Sequence, residues 1–207
     1  MRYPPTHHQE ENYDNIIFLM QSYPLATINS CYQERVLSSH TPLIYQRNKG
    51  LGRLIGHLDK YNPQLEHFKK NPAISVIFHG PQVYISPSVY QTTQLPTWNY
   101  FKAHIQGKIT IEKDQSVVKK SLIDMTTQLE GAEKKYRLEA ENPRMLAALD
   151  YIVGFSITID QWEGKYKISQ DKRKADQQRA KQAMIQATHN IENIIEKLYA
   201  LHQTKTS

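Results

Sequence analysis

Residues 73–111 read AISVIFHGPQVYISPSVYQTTQLPTWNYFKAHIQGKITI, and this stretch constrains the fold more than any other. β-Branched and aromatic residues dominate the runs, and Gly, Pro and Ser punctuate them, which is the signature of consecutive sheet strands. Two strand-like runs with a turn at Gly80-Pro81 are expected first. A polar loop over 86–94 and a third run over 98–111 follow.

The flanking chain extends the pattern. Residues 25–30 and 35–45 read as strands, with Pro42 marking a bulge or a locally exposed edge. Asn48-Lys49-Gly50 signals a turn before a further strand over 51–59, and 63–70 reads as a short helix with Pro at its first position. About six strands with one short helix among them, and no βαβ alternation, point to an antiparallel barrel or sandwich. Helices are expected at its periphery. One spans 10–22, acidic at its start, with Tyr13, Ile16, Ile17 and Met20 at helical spacing. A second covers 114–130, capped by Asp114, ended by Gly131, with Val117, Val118, Leu122, Met125 and Leu129 on one face. A third, 142–152, opens on the pair Asn142-Pro143. Residues 154–164 return to strand periodicity, with Phe155, Ile157 and Ile159 on one face, and are expected to close the barrel. From about 175 to 202 a helix carries a narrow apolar seam through Ala180, Met184, Ala187, Ile191, Ile194, Leu198 and Leu201. Packing back onto the chain's own barrel is the favoured use of that seam. Pairing with the same helix of a second subunit is the other.

A chain of 207 residues with 39% hydrophobic and 22% charged residues suits one globular domain, or a domain with an appendage. No apolar run approaches the roughly 20 residues needed to span a bilayer, and no signal-peptide pattern is present, so a cytoplasmic protein is expected. The single cysteine, Cys31, excludes an internal disulfide and a multi-Cys metal site. The net charge is +6. From residue 161 onward nine Lys/Arg face five Asp/Glu, a basic region compatible with nucleic acid or an anionic ligand, or simply solvated.

Three places carry side chains suited to a flat, phosphate-bearing ligand. In the loop after residue 85, small hydroxyl and amide groups adjoin Tyr90 and Trp98, which supply aromatic faces; a plain surface turn is the competing reading. GHLDKYNP (56–63) lies where a strand gives way to a helix, and there backbone N–H groups, Lys60 and Asn62 form a natural phosphate site, with His57 at the strand end. In GKYKISQ (164–170) an extended chain sets Lys165, Lys167 and Ser169 on one face, for an anion or to guard an exposed edge. His40, His57, His79 and His104 fall on expected strands; without H-x-H or H-x-x-x-H spacing they read as hydrogen-bonded strand histidines rather than metal or haem ligands. No nucleophile–base pairing and no G-x-G-x-x-G fingerprint appears.

GPQVYISPSVY followed by PTWNY, with GHLDKYNP upstream, EGKYKISQ downstream and the opening RYPPTHH, resembles the PaiB family from Met1 to about Arg179. That family is described as FMN-binding split-barrel proteins acting as negative transcriptional regulators. The resemblance implies a mainly β, α+β fold: an antiparallel split β-barrel of the FMN-binding type over 1–174, with a C-terminal helical extension over 175–207. It implies FMN as cofactor and a homodimer with sites at the subunit interface. His57, Lys60 and Asn62 would lie at the phosphate, Ser86, Ser88 and Tyr90 at the flavin's polar edge, and Trp98 along a wall. Thr97 and Asn99 lie on the opposite side of the strand from Trp98, so one set would face the ligand. Lys165 and Lys167 would add charge, and Gln170 enters through the family's Ser-Gln pair alone. Lys60 stands where the family more usually shows Arg, and the loop at 91–94 is shortened and lacks a family Lys. A regulator is the leading reading, with DNA contact through the basic C-terminal region. An FMN-dependent oxidoreductase, a haem-handling protein on the same scaffold, and a cofactor-free interaction module are the rivals.

Overall fold

The computed structural model describes residues 5–189 and residue 195. Residues 2–4 of the opening motif and the seam positions Ile191, Ile194, Leu198 and Leu201 therefore lie outside the described residues. Eight strands form one sheet: β1 (Gln9–Glu10), β2 (Leu25–Tyr32), β3 (Arg35–Pro42), β4 (Ile44–Gln46), β5 (Arg53–Asp59), β6 (Ala73–Ile85), β7 (Thr97–Ile111) and β8 (Ile152–Lys167). Five helices accompany them: α1 (Tyr13–Ser22), α2 (Gln64–Lys70), α3 (Gln115–Glu130), α4 (Pro143–Ala148) and α5 (Lys174–His189). None of the described helices is long and apolar enough to cross a membrane.

The strand order is β3-β2-β6-β7-β8-β5-β4, with β1 added beside β8. β3 and β4 stand at opposite ends of that order, yet only Leu43 separates them in the chain. One residue spans less than 4 Å, so the sheet has to curl until its two ends meet. They do meet, because Thr41 on β3 donates to the His57 carbonyl on β5 at 2.9 Å. The result is an antiparallel split β-barrel with peripheral helices. Pro42 explains why the expected 35–45 strand divides here: it ends β3, and Leu43 turns inward, buried, with its N–H on the Pro24 carbonyl at 2.9 Å.

The chain forms two compact units. One takes in the described residues of Met1–Glu10, Gly80–Phe101 and Lys165–Ser207, the other Glu11–His79 and Lys102–Gly164. The second holds the larger core. Inward-facing residues such as Ile28, Leu54, Val76, Phe78, Ile105 and Ile157 are fully buried there, each contributing roughly 1.5–3 kcal/mol relative to exposure. α1 opens on Asn12, whose side chain accepts from the Asp14 N–H, and buries Ile16, Ile17, Leu19 and Met20. On α3 Asp114 is the cap, accepting from the Ser116 N–H, and Gly131 ends the helix with φ of 60°. Of the apolar face expected on α3, Val118 and Met125 are buried, whereas Val117 and Leu129 are about half exposed. Asn142 caps α4 through the Arg144 and Met145 N–H groups.

Beneath α2 sits a buried polar knot. Gln64 Nε2 meets the Ile28 carbonyl, Ser30 Oγ and the Leu37 carbonyl at 2.9–3.0 Å, and Ser30 Oγ lies 3.1 Å from His67 Nδ1. One helical amide thus holds both strands of the β2–β3 hairpin, whose register pairs Ile28 with Ser39 and Ser30 with Leu37.

Two expectations are corrected. β6 runs unbroken from Ala73 to Ile85, so Gly80-Pro81 is part of a strand and not a turn. Its pairing with β2 ends at Phe78, so the N–H that Pro81 lacks costs no bond to that neighbour. β8 reaches Lys167, longer than the expected 154–164, and lies inside the strand order between β7 and β5.

β7 and β8 approach closely at Gly107, where a Cβ would run into the Thr158 carbonyl oxygen. Gly107→Ala is expected to destabilise the protein by about 1–3 kcal/mol through overpacking. A lowered denaturant midpoint with an unchanged slope would show it.

Candidate functional site

The first unit is assembled by hydrogen bonds as much as by apolar contact. Its small core packs Ile85 at the end of β6 and Tyr90 in the following loop against Ala180 of α5, with Val83, Val89 and Ala183 around them. The seam of α5 therefore packs within its own chain over the described part, with Ala180 and Met184 buried. Asp176, in the first turn of α5, is buried and accepts from the Gln91 N–H at 2.6 Å and the Thr92 hydroxyl. Those two bonds hold its carboxyl below the usual aspartate range. They also fix the loop that leads into β7.

Past the end of β8 the chain turns at Ser169, which takes a left-handed φ of 62°. The Ser169 hydroxyl donates to Asn99 Oδ1 at 3.1 Å and lies 2.8 Å from the Tyr90 hydroxyl. Its one proton is committed to Asn99, so Tyr90 donates to Ser169. All three residues are buried, at 8%, 4% and 1% exposure for Tyr90, Ser169 and Asn99. Gln170 pins the neighbouring segment: its amide donates to the His7 and Tyr166 carbonyls, and its oxygen accepts from the Ile168 N–H.

These bonds border a cavity of about 240 Å³, with His8, Thr97, Asn99, Lys167, Ser169 and Lys172 in its walls beside the 94–96 loop and Asp171. Asn99 spends its oxygen on Ser169, which leaves its amide NH₂ as the group for an occupant. Burial, then the neighbouring His7, Lys165 and Lys167, pushes the His8 imidazole below its usual value. Burial and Glu10 push the Tyr166 phenol up to about 12. His7, His8 and Asp171 each place a ligand atom within 4.8 Å of the others. Asp171, however, is paired with Lys172 at 2.8 Å, and Lys165 and Lys167 lie near His8. With the Asp171 carboxylate already paired to Lys172, the remaining wall ammonium of Lys167 favours an anion there over a metal cation.

The twelve residues singled out from the sequence divide. Thr97, Asn99 and Lys167 line the cavity, while Tyr90 and Gln170 hold its surroundings in place. Lys165 is buried at 5% exposure, so it is no edge guard, and the turn at Ser169 ends the extended face expected for 164–170. Ser86 accepts from the Ser88 N–H, and the two hydroxyls are 2.8 Å apart. Trp98 is 54% exposed and meets Tyr84 edge to face at 6.2 Å. His57, Lys60 and Asn62 belong to the second unit. His57 is pushed below its usual value by burial, and its Nδ1 has no partner among the described residues. The Lys60 ammonium lies 4.5 Å from the centre of the Tyr151 ring. Asn62 accepts from the Gln64 N–H and donates to Ser39. His8, Lys172 and Asp176 were missed; only the charged run DKRKAD after the Ser-Gln pair could have drawn attention to two of them.

The fold and its site together define the class: antiparallel split-barrel proteins with a cationic, donor-lined cavity. The chain belongs to the "Putative FMN-binding domain" family, whose profile matches residues 2–161. It is 30% identical over 180 residues to Protease synthase and sporulation protein PAI 2 of Bacillus subtilis, covering 84% of each chain. It is also 26% identical over 212 residues to the uncharacterized protein AN0679 of Emericella nidulans, covering 82% of this chain and 84% of that one. Among solved structures the fold is shared with the FAD and heme binding protein from Mycobacterium smegmatis, with a TM-score of 0.59 and 15% identity over 77% of this chain and 73% of that one. It is shared equally with the flavocytochrome Anf3 from Azotobacter vinelandii, with a TM-score of 0.58 and 14% identity over 80% and 72%. The chain is an FMN-binding split-barrel protein of the PaiB type, and FMN is its cofactor.

Asp176 supplies a test of how the cavity loop is held. A folded-state pKa below the ordinary value means its stabilisation is complete above about pH 4 and is lost as the pH falls further. Asp176→Asn is expected to lower stability at neutral pH and to flatten the acid limb of the stability–pH curve. Chemical denaturation of both proteins between pH 2 and about pH 7 checks this.

Proposed function

We propose that the chain is a regulatory flavin-binding protein that works as a cytoplasmic homodimer, with the phosphate end of FMN held in the cavity of the first unit. The observation that carries this reading is the donor set of that cavity. Lys167 supplies the positive charge that no carboxylate in the wall cancels, and Thr97 and the Asn99 amide supply neutral donors. A phosphate needs both, and charge-assisted hydrogen bonds to it are the stronger kind. Asp171 does not oppose it strongly, because Lys172 already neutralises that carboxylate. Bound FMN would supply electron-transfer chemistry; this chain's own residues bind and orient it.

The size of the cavity supports the dimer. About 240 Å³ falls short of the roughly 300–1,000 Å³ of small-molecule sites, so one chain offers room for part of the cofactor. Tyr84, Leu95 and Trp98 are 51%, 83% and 54% exposed in the same unit. Aromatic side chains on a surface suit a second copy that would complete the walls. DNA contact is assigned to the basic region from residue 161 onward, where nine Lys/Arg face five Asp/Glu. Such contact is salt-sensitive and falls steeply as ionic strength rises.

Titration of FMN by fluorescence quenching separates the two candidate phosphate sites. Lys167→Ala is expected to weaken FMN binding by about ten- to a hundredfold, the cost of one charged hydrogen bond of about 1.5–3 kcal/mol, and Lys60→Ala to leave it unchanged. The reverse pattern would move the phosphate to the junction before α2. Nicotinamide-driven reduction of bound flavin at enzyme-like rates would replace the regulator with an oxidoreductase.

A further inference from the structure

A second constellation, in the other unit, lies outside the cavity and takes no part in the reading above. Thr27 on β2 sits between two histidines, with its Oγ1 3.0 Å from His40 Nδ1 on β3 and 3.1 Å from His79 Nε2 on β6. The other nitrogen of His79, Nδ1, lies 3.1 Å from the ammonium of Lys102 on β7. β3, β2, β6 and β7 are consecutive in the sheet, so the four side chains form one line across four strands.

The hydrogen-bond inventory fixes the direction of that line from Lys102 to Thr27, and the relay takes the His40 tautomer that continues it. An ammonium only donates, so His79 Nδ1 accepts. His79 is then neutral and carries its proton on Nε2, which donates to Thr27. A hydroxyl has one proton, and Thr27 completes the chain by giving it to His40 Nδ1. His40 therefore keeps its own proton on Nε2, and its side chain is exposed to water. Every donor points the same way, from partly buried Lys102 to exposed His40.

We infer that Lys102, His79, Thr27 and His40 form a proton relay, an acid–base site at which the Lys102 amine exchanges its proton with solvent through His79, Thr27 and His40. The transfer balances without a co-reactant. Lys102 passes a proton to His79 Nδ1, His79 releases its Nε2 proton to Thr27, Thr27 releases its own to His40 Nδ1, and His40 gives its Nε2 proton to water. Lys102 is left as a neutral amine, and the reverse passage reloads it. A lysine that empties and refills in this way serves as an acid or base toward a ligand on this face.

The electrostatics agree. Burial pushes Lys102 below the usual lysine value. Burial, then Lys102, His40 and His104, pushes His79 down, which keeps it neutral as the relay needs. His104 is itself lowered, by burial first, with Glu163 opposing. Lys102, His40 and His104 are the charged or titratable groups that act on His79, and Glu163 acts on His104.

Nitrogen-15 NMR tests the relay on the intact protein. The expected wild-type result is the Nε2–H tautomer at His79 and a slowly exchanging Lys102 ammonium whose exchange with water is catalysed through the chain. Thr27→Val is expected to slow that exchange by about tenfold, equivalent to about 1.4 kcal/mol of barrier, and Thr27→Ser to restore it, with both variants folded by circular dichroism. An Nδ1–H tautomer at His79, or equal exchange rates in wild type and Thr27→Val, overturns the proposal. A merely structural Thr27 would move stability and leave the exchange rate alone.

Discussion

The single residue between β3 and β4 sets the architecture. Strands at the two ends of the sheet order cannot be joined by Leu43 alone unless the sheet rolls up, and the side-chain bond from Thr41 to the His57 carbonyl marks where the ends meet. Proline makes the junction sharp. Pro42 cannot carry the ladder onward, so the chain leaves β3, buries Leu43 in the core and re-enters the sheet as β4 at the far end.

The first unit spends its polar groups on itself before it offers any to a ligand. Tyr90, Ser169 and Asn99 form a buried chain in which each donor has one acceptor, and Asp176 and Gln170 tie down the segments on either side. What remains is the Asn99 amide, the Thr97 hydroxyl and the Lys167 ammonium, all in the walls of one cavity. Rigid supports and a few uncommitted donors are what a phosphate site requires.

Much of the fold was legible because local chemistry and tertiary structure agree. Asp114, Gly131 and Asn142-Pro143 mark helix ends by side-chain and backbone rules that hold anywhere in a chain. Strand periodicity without βαβ alternation pointed to an antiparallel barrel or sandwich, and the family resemblance chose the barrel. Gly80-Pro81 misled because its dipeptide signal is local, whereas its tolerance in β6 depends on where pairing with β2 stops. The hairpin turn at Gln33-Glu34, with φ of 47° and 61°, gave no warning: neither residue favours that region, and the strands impose it. Of the residues that the aromatic-rich motif and the repeated Lys singled out, Thr97, Asn99 and Lys167 border the cavity. His8 was not singled out, because it reaches the cavity from a segment far away in sequence, and Lys172 was passed over within a charged run that reads equally well as solvated.

Gln64 shows how little it takes to choose one alignment of two strands. Its amide nitrogen touches the main-chain oxygens of Ile28 and Leu37 at the same moment. Sliding either strand by a single position would withdraw one of those oxygens and strand a polar group in a dry interior. The short helix above the hairpin thus works as a detent that clicks home for one alignment only, adding to the alternating burial of β2, which favours the same alignment.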